Sequence, residues 1–187
     1  MRPVPEKIHI FAQQMLDSKN GLSFELGYIA YDANFKCIEI IDTQKLSKSN
    51  GAVKLANDET GRFNKEAYSI VKLNQIPPEV FCLTFGISEV FNKKLNGSMG
   101  CFFRVYDAKD DFELMSFDGR RKGLYTSIWV FTMFRYNNNE WAIVPMNRSY
   151  NDRGLVKGML ALSQHIKEDM QKEKYFDRMY AQIKIDF

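Results

Sequence analysis

Between positions 55 and 73 the chain reads LANDETGRFNKEAYSIVKL, and six oxygen-bearing side chains crowd around one glycine. Asn57, Asp58, Glu59, Thr60, Asn64 and Glu66 flank Gly61. A hard cation such as Ca²⁺ takes about six to eight oxygens, several of them carboxylate, gathered by a tight turn. The same stretch also holds Arg62 and Lys65, and Lys54 stands just before it. Asp58, Glu59 and Glu66 set against Arg62 and Lys65 leave the loop almost neutral. Such a loop has the donors for calcium but little of the charge.

Other chemistry lacks its carriers. The two histidines, His9 and His165, lie in opposite terminal segments on unlike elements, so they build no nucleophile–base pair. There is no CxxC, HExxH, GxGxxG or Walker loop, and zinc, dinucleotide and P-loop chemistry are not expected. Basic residues cluster at Lys93-Lys94 and at Arg120-Arg121-Lys122, without the interleaved aromatics of a single-strand binding platform. These read as solvated loop charge. No enzymatic activity is expected.

The elements that must position the loop are mostly strands. In LSFELGYIAYD, Leu22, Phe24, Leu26, Tyr28 and Ala30 fall on one face at period two. KCIEIID alternates likewise, and Lys48-Ser-Asn-Gly51 is a hairpin-grade turn. KIHIFAQQML, residues 7 to 16, suits a strand or a helix equally. Pro77-Pro78 bars a central strand, and EVFCLTFGI after it reads as a fully buried one. CFFRVYD and DFELMSF flank Ala-Lys-Asp as a hairpin. LYTSIWVFTMFRYN is the longest β signal, with Ile128, Val130 and Phe134 on one face and Trp129, Phe131 and Met133 on the other. Asn137-Asn-Asn139 then turns it into EWAIVPM.

Eight or nine short strands between turn signals predict a mainly β protein, an antiparallel two-sheet β-sandwich over residues 1–153. From Gly154 the period changes. Leu155, Met159, Leu162 and Ile166 recur at helical spacing, continuing less cleanly through Met170, Phe176, Tyr180 and Ile183. Residues 154–187 are therefore expected to form a C-terminal helix and tail, packed on the sandwich or extending from it.

The whole chain fits that reading. Its 187 residues give one domain by size, with 45% hydrophobic and 14% aromatic content. A net charge of +3, from 26 basic and 23 acidic residues, implies no nucleic acid by itself, and no sequence-specific nucleic-acid partner is expected. No apolar run reaches the roughly 18 residues of a membrane span, and peripheral membrane contact has no support. MRPVPEKIHIFAQQ lacks an apolar h-region. Cys37, Cys82 and Cys101 are widely spaced and odd in number, which suits reduced thiols in a cytoplasmic protein.

Taken in order, these pieces resemble the tellurium-resistance TerD family. FEL at Phe24, Glu25 and Leu26, the Ser49-Asn50-Gly51 turn and Asn57-Asp58-Glu59-Thr60-Gly61 resemble the family's FDLD, DGS turn and GDN-x-TG. Ile70-Val71-Lys72-Leu73 with Ile76-Pro77 follows as the family's strand ending in L-x-x-(I/V)-P. Phe102-Phe103-Arg104-Val105 is similar to its F-I-R-V, and Glu113-Leu114 with Phe117-Asp118 to its E-(I/L)-x-x-(F/Y)-D-L. Phe134-Arg135-Tyr136-Asn137-Asn138-Asn139-Glu140-Trp141 is similar to its L-Y-R-x-x-G-x-W. The likeness covers roughly residues 7 to 166, although the family's first strand has no evident counterpart. It implies a two-sheet sandwich, calcium binding, a cytoplasmic location and a part in tellurite and chemical-stress response.

The departures concern the metal. By this resemblance the calcium donors are Glu25, Asn57, Asp58, Asn64 and Glu66. Of the paired aspartates in FDLD, one is kept as Glu25 and the other is Gly27. The first aspartate of GDN is Asn57, and the GDDE cluster shrinks to Asn64-Lys65-Glu66. Each lost close ion pair removes on the order of a few kcal/mol at an effective dielectric near 20. The expected site is degenerate, with Lys65 or Arg62 in the cation's place and Ca²⁺ at most weakly held. No other cofactor is expected. The expected function is non-enzymatic binding or assembly, with a protein partner or self-association through surface loops and the aromatic tail KYFDRMYAQIKIDF. The alternative is a calcium- or small-ligand-responsive stress protein.

Overall fold

The computed structural model describes residues 6–15, 24–41, 47–48, 51–56, 66–89, 95–96, 100–118, 124–136, 140–151 and 159–173. Thirteen strands fall among them: β1 (Lys7–Met15), β2 (Phe24–Tyr31), β3 (Cys37–Ile41), β4 (Ser47–Lys48), β5 (Val53–Ala56), β6 (Glu66–Lys72), β7 (Cys82–Glu89), β8 (Leu95–Asn96), β9 (Gly100–Asp107), β10 (Glu113–Asp118), β11 (Leu124–Tyr125), β12 (Ser127–Tyr136) and β13 (Glu140–Tyr150). One helix follows, α1 (Met159–Glu173). A six-stranded sheet runs β10-β9-β1-β6-β5-β4, a five-stranded sheet runs β13-β12-β7-β2-β3, and β8 pairs with β11. Every pairing is antiparallel. The expected two-sheet sandwich with a C-terminal helix is the fold.

The segment that suits a strand or a helix equally resolves as a strand, because β1 finds partners on both sides, β6 and β9. Ile8 and Ile10 face inward and are fully buried. The N-terminal region thus supplies an interior strand. Gly51, at φ +81°, takes the left-handed conformation that the turn between β4 and β5 requires. Pro145 breaks no ladder because β13 is an edge strand.

Two cores lie on the two faces of the five-stranded sheet. Between the sheets, Phe85 stacks on Phe131 with centroids 5.1 Å apart and meets Phe103 edge-on at 5.5 Å. The Tyr28 hydroxyl crosses the same layer to hydrogen-bond Ser69 Oγ, joining β2 to β6. On the opposite face Ile29, Tyr31, Cys82, Trp129 and Phe134 pack against Met159, Leu162, Ile166 and Met170 of α1. Met159, Leu162, Ile166 and Met170 of the helical spacing read from the sequence are the buried stripe of that helix, and Leu155, Phe176, Tyr180 and Ile183 lie outside the described residues.

One expectation is corrected. Phe131 and Met133 lie in the inter-sheet core with Ile128 and Val130, whereas Phe134 sits with Trp129 under the helix. A bulge causes the exchange: Trp129 pairs with Gly86 and Phe131 with Phe85, so Val130 is an extra residue. One inserted residue inverts the alternation beyond it.

Candidate functional site

The topology places two of the five expected calcium donors at one end of the sandwich. β6 ends at Lys72, a 3₁₀ turn over Leu73–Gln75 follows, and the chain crosses to the other sheet to begin β7 at Cys82. Cys82 pairs with Tyr31, the last residue of β2. β2 and β6 therefore run in the same direction, one in each sheet. Glu25 and Glu66, both at strand starts, share the end at which β5 finishes with Ala56. Asn57, Asp58 and Asn64 lie outside the described residues, as do Arg62 and Lys65. Among the described residues no group of three or more His, Cys, Asp or Glu gathers as a metal site.

Gly27, which stands where the resembled pattern has its second aspartate, has a structural task. A Cβ built on it would lie 2.7 Å from the Ile41 carbonyl oxygen and 3.0 Å from Met159. Its cross-strand partner is Gly86, where a Cβ would come within 2.3 Å of Leu162 Cδ2 and 3.0 Å of the Ile128 carbonyl oxygen. Two glycines side by side on β2 and β7 make a bare trough, and the first turns of α1 lie in it. The sequence signal is a glycine inside each of two apolar strand runs, which marks close approach of another element.

Further along, α1 is tied by polar contacts. Tyr31 donates to the Ser163 carbonyl at 3.0 Å. Asp169 accepts from the Tyr150 hydroxyl at 2.7 Å and from Arg148 at 3.0 Å, and the ion pair is about three-quarters buried. His165 stacks flat on Tyr150, ring centroids 4.8 Å apart. Both described thiols are free, Cys37 half-buried and Cys82 fully buried. Burial pushes each above the ordinary thiol range, which disfavours the reactive thiolate.

Arg135 is the other residue that sequence reasoning left without a role. Its Nε donates to the Val80 carbonyl at 2.9 Å, and Nη2 donates to those of Ile76 and Pro77. Its guanidinium lies over the Trp141 ring, 4.7 Å from the centroid. Burial lowers its pKa, partly offset by the Glu79 carboxylate. Arg135 thus fastens the crossover between the sheets. The spacing of Arg135 and Trp141 in the quoted motif is the trace of this stack.

Comparison with solved structures agrees with this architecture. A homologue of the telluride resistance protein TerD from Streptomyces coelicolor A3(2) superposes with a TM-score of 0.63, covering 80% of this chain and 92% of its own, at 14% identity. The fold is TerD-like. A second solved structure, of a protein of unknown function, superposes with the same TM-score of 0.63 and the same 14% identity. No protein-family model matches the sequence, and no curated protein matches it. The TerD-like frame accounts for the order of these motifs, since FEL opens β2, Ile70-Val71-Lys72 closes β6 with Leu73 starting the 3₁₀ turn, and Arg135 and Trp141 flank the β12–β13 turn.

Proposed function

We propose that this TerD-like chain is a non-enzymatic binding or assembly protein whose calcium site is degenerate. The observation that carries the reading is Gly27. The position that holds a carboxylate in the resembled pattern is here given over to helix packing, with a backbone oxygen and Met159 filling the space a side chain would need. A donor cannot return there without moving α1. The loss of charge at Asn57 and the gain of Lys65 point the same way.

A melt with and without calcium tests it. A site whose dissociation constant is about 1 mM or weaker raises the midpoint by less than about 2 °C at about 1 mM calcium, for a chain this size. That small shift is the expected result. A rise of about 5 °C or more would instead favour the calcium-responsive stress protein.

The assembly half of the reading is tested by truncation. Asp169 and Met170 are both used in packing α1, so the chain is cut after Glu173 and not before. The shortened protein is expected to keep its melting midpoint while losing self-association or partner capture, measured by light scattering and pull-down with the full chain as reference. Association unchanged by the cut would remove the tail from the proposal.

A further inference from the structure

α1 covers one outer face of the sandwich, that of the five-stranded sheet. Among the described residues no helix covers the outer face of the six-stranded sheet. Ile8, Ile10, Val53, Ser69, Val71, Phe103 and Val105 point into the core, so the alternate positions of β1, β5, β6 and β9 form that outer face. Three register rows there are basic and aromatic. Lys7 stands directly opposite Lys72. In the next row come Lys54, Ile70, His9, Tyr106 and Glu113, one from each of five adjacent strands. The third row carries Tyr68, Phe11 and Arg104 at its register positions. Glu66 and Asp118 occupy the row beyond, which bounds the basic area.

Lys7, Lys54 and Arg104 are exposed, and Lys72, Ile70 and Tyr106 are half-buried. Arg104 donates to the Tyr106 hydroxyl at 3.3 Å and pairs with Glu113 on the next strand at 3.6 Å. Among the described residues no carboxylate pairs with Lys7, Lys54 or Lys72. Two lysines directly opposite on neighbouring strands repel each other, a cost that an anionic ligand would relieve.

We infer that this face binds single-stranded nucleic acid without sequence preference, its lysines and Arg104 on phosphates and Tyr106 against a base. Single-strand sites combine a cationic surface with rings on which bases stack, because every base has a stacking face, and Tyr106 is the ring on this face that is described as partly open to solvent. The sequence showed its basic clusters only in loops; strand register is what interleaves cations with rings. An anionic membrane fits less well. Ile70 and Tyr106 are half-buried, and the exposed Phe112 is preceded by Asp110 and Asp111, which such a surface repels. This inference is separate from the assembly role of the tail, and either can fail alone.

The test is fluorescence anisotropy of labelled oligothymidylate titrated with the full chain, repeated across salt concentrations. Saturable binding is expected, with a log–log salt slope of about −2 to −3 for three or four phosphate contacts. The K7E/K72E double variant is expected to bind roughly 25-fold more weakly at about 0.1 M salt, from two lost contacts at about 0.7 slope units each. Tyr106→Ala loses roughly fivefold to a hundredfold through stacking. Lys167→Glu, an exposed lysine on α1, leaves binding unchanged. Circular-dichroism melts show that each variant is folded. No binding at low salt, equal losses with Lys167→Glu, or binding to phosphatidylserine vesicles but not to the oligonucleotide would each overturn the inference.

Discussion

Gly27→Asp is expected to lower stability by about 3 kcal/mol or more and to restore no calcium binding. The new Cβ meets the Ile41 carbonyl oxygen, a backbone atom that cannot swing aside, and Met159 closes the other side. Overpacking of this kind costs roughly 1–3 kcal/mol, and the carboxylate adds desolvation beneath a helix. The measurement is urea unfolding beside calcium calorimetry. Gly27→Ala separates the two contributions, since it carries the steric part alone. A Gly27→Asp protein as stable as the parent, with a calcium heat the parent lacks, would show that the site is one substitution from working and that α1 yields easily.

Arg135→Ala has the second-largest expected effect, a loss of about 3–4 kcal/mol. Three carbonyls, of Ile76, Pro77 and Val80, lose their charged donor at once, and Trp141 loses the cation over its ring. Water can replace part of this, because Arg135 is only partly buried. Arg135→Lys keeps the charge but not the fork, and one ammonium cannot reach three carbonyls and stack on the ring. It is expected to recover less than half of the loss. Denaturant midpoints for the two variants check both statements, and full rescue by lysine would mean that charge, not geometry, holds the crossover.

Alternation made most of the sandwich legible. The inward set Tyr28 and Ala30, the buried run of β7 and the hairpin of β9 with β10 all follow from period two and turn chemistry. The bulge at Val130 was not legible, since an extra residue leaves no mark in a strand that is apolar on both faces. The helix read correctly at Met159, Leu162, Ile166 and Met170, but its berth did not. Glycines at 27 and 86 become meaningful only once strand register sets them side by side. The candidate metal site shows the same divide. Oxygen donors can be picked out along 57–66, yet that Glu25 and Glu66 open strands at one end depends on how the chain crosses between the sheets. Arg135 stands out in sequence only as part of a motif, while its three acceptors lie more than fifty positions away.

The bulge also bears on how the protein is made. Through it, β12 gives Ile128, Val130, Phe131 and Met133 to one core and Trp129 with Phe134 to the other. All the described strands precede α1 in the chain, so during synthesis the sandwich can close before its cover exists. In that interval Ile29, Tyr31, Trp129 and Phe134 face water as one sticky patch, the kind of surface on which nascent chains aggregate or recruit chaperones. α1, made after the strands it covers, is what takes that patch out of water.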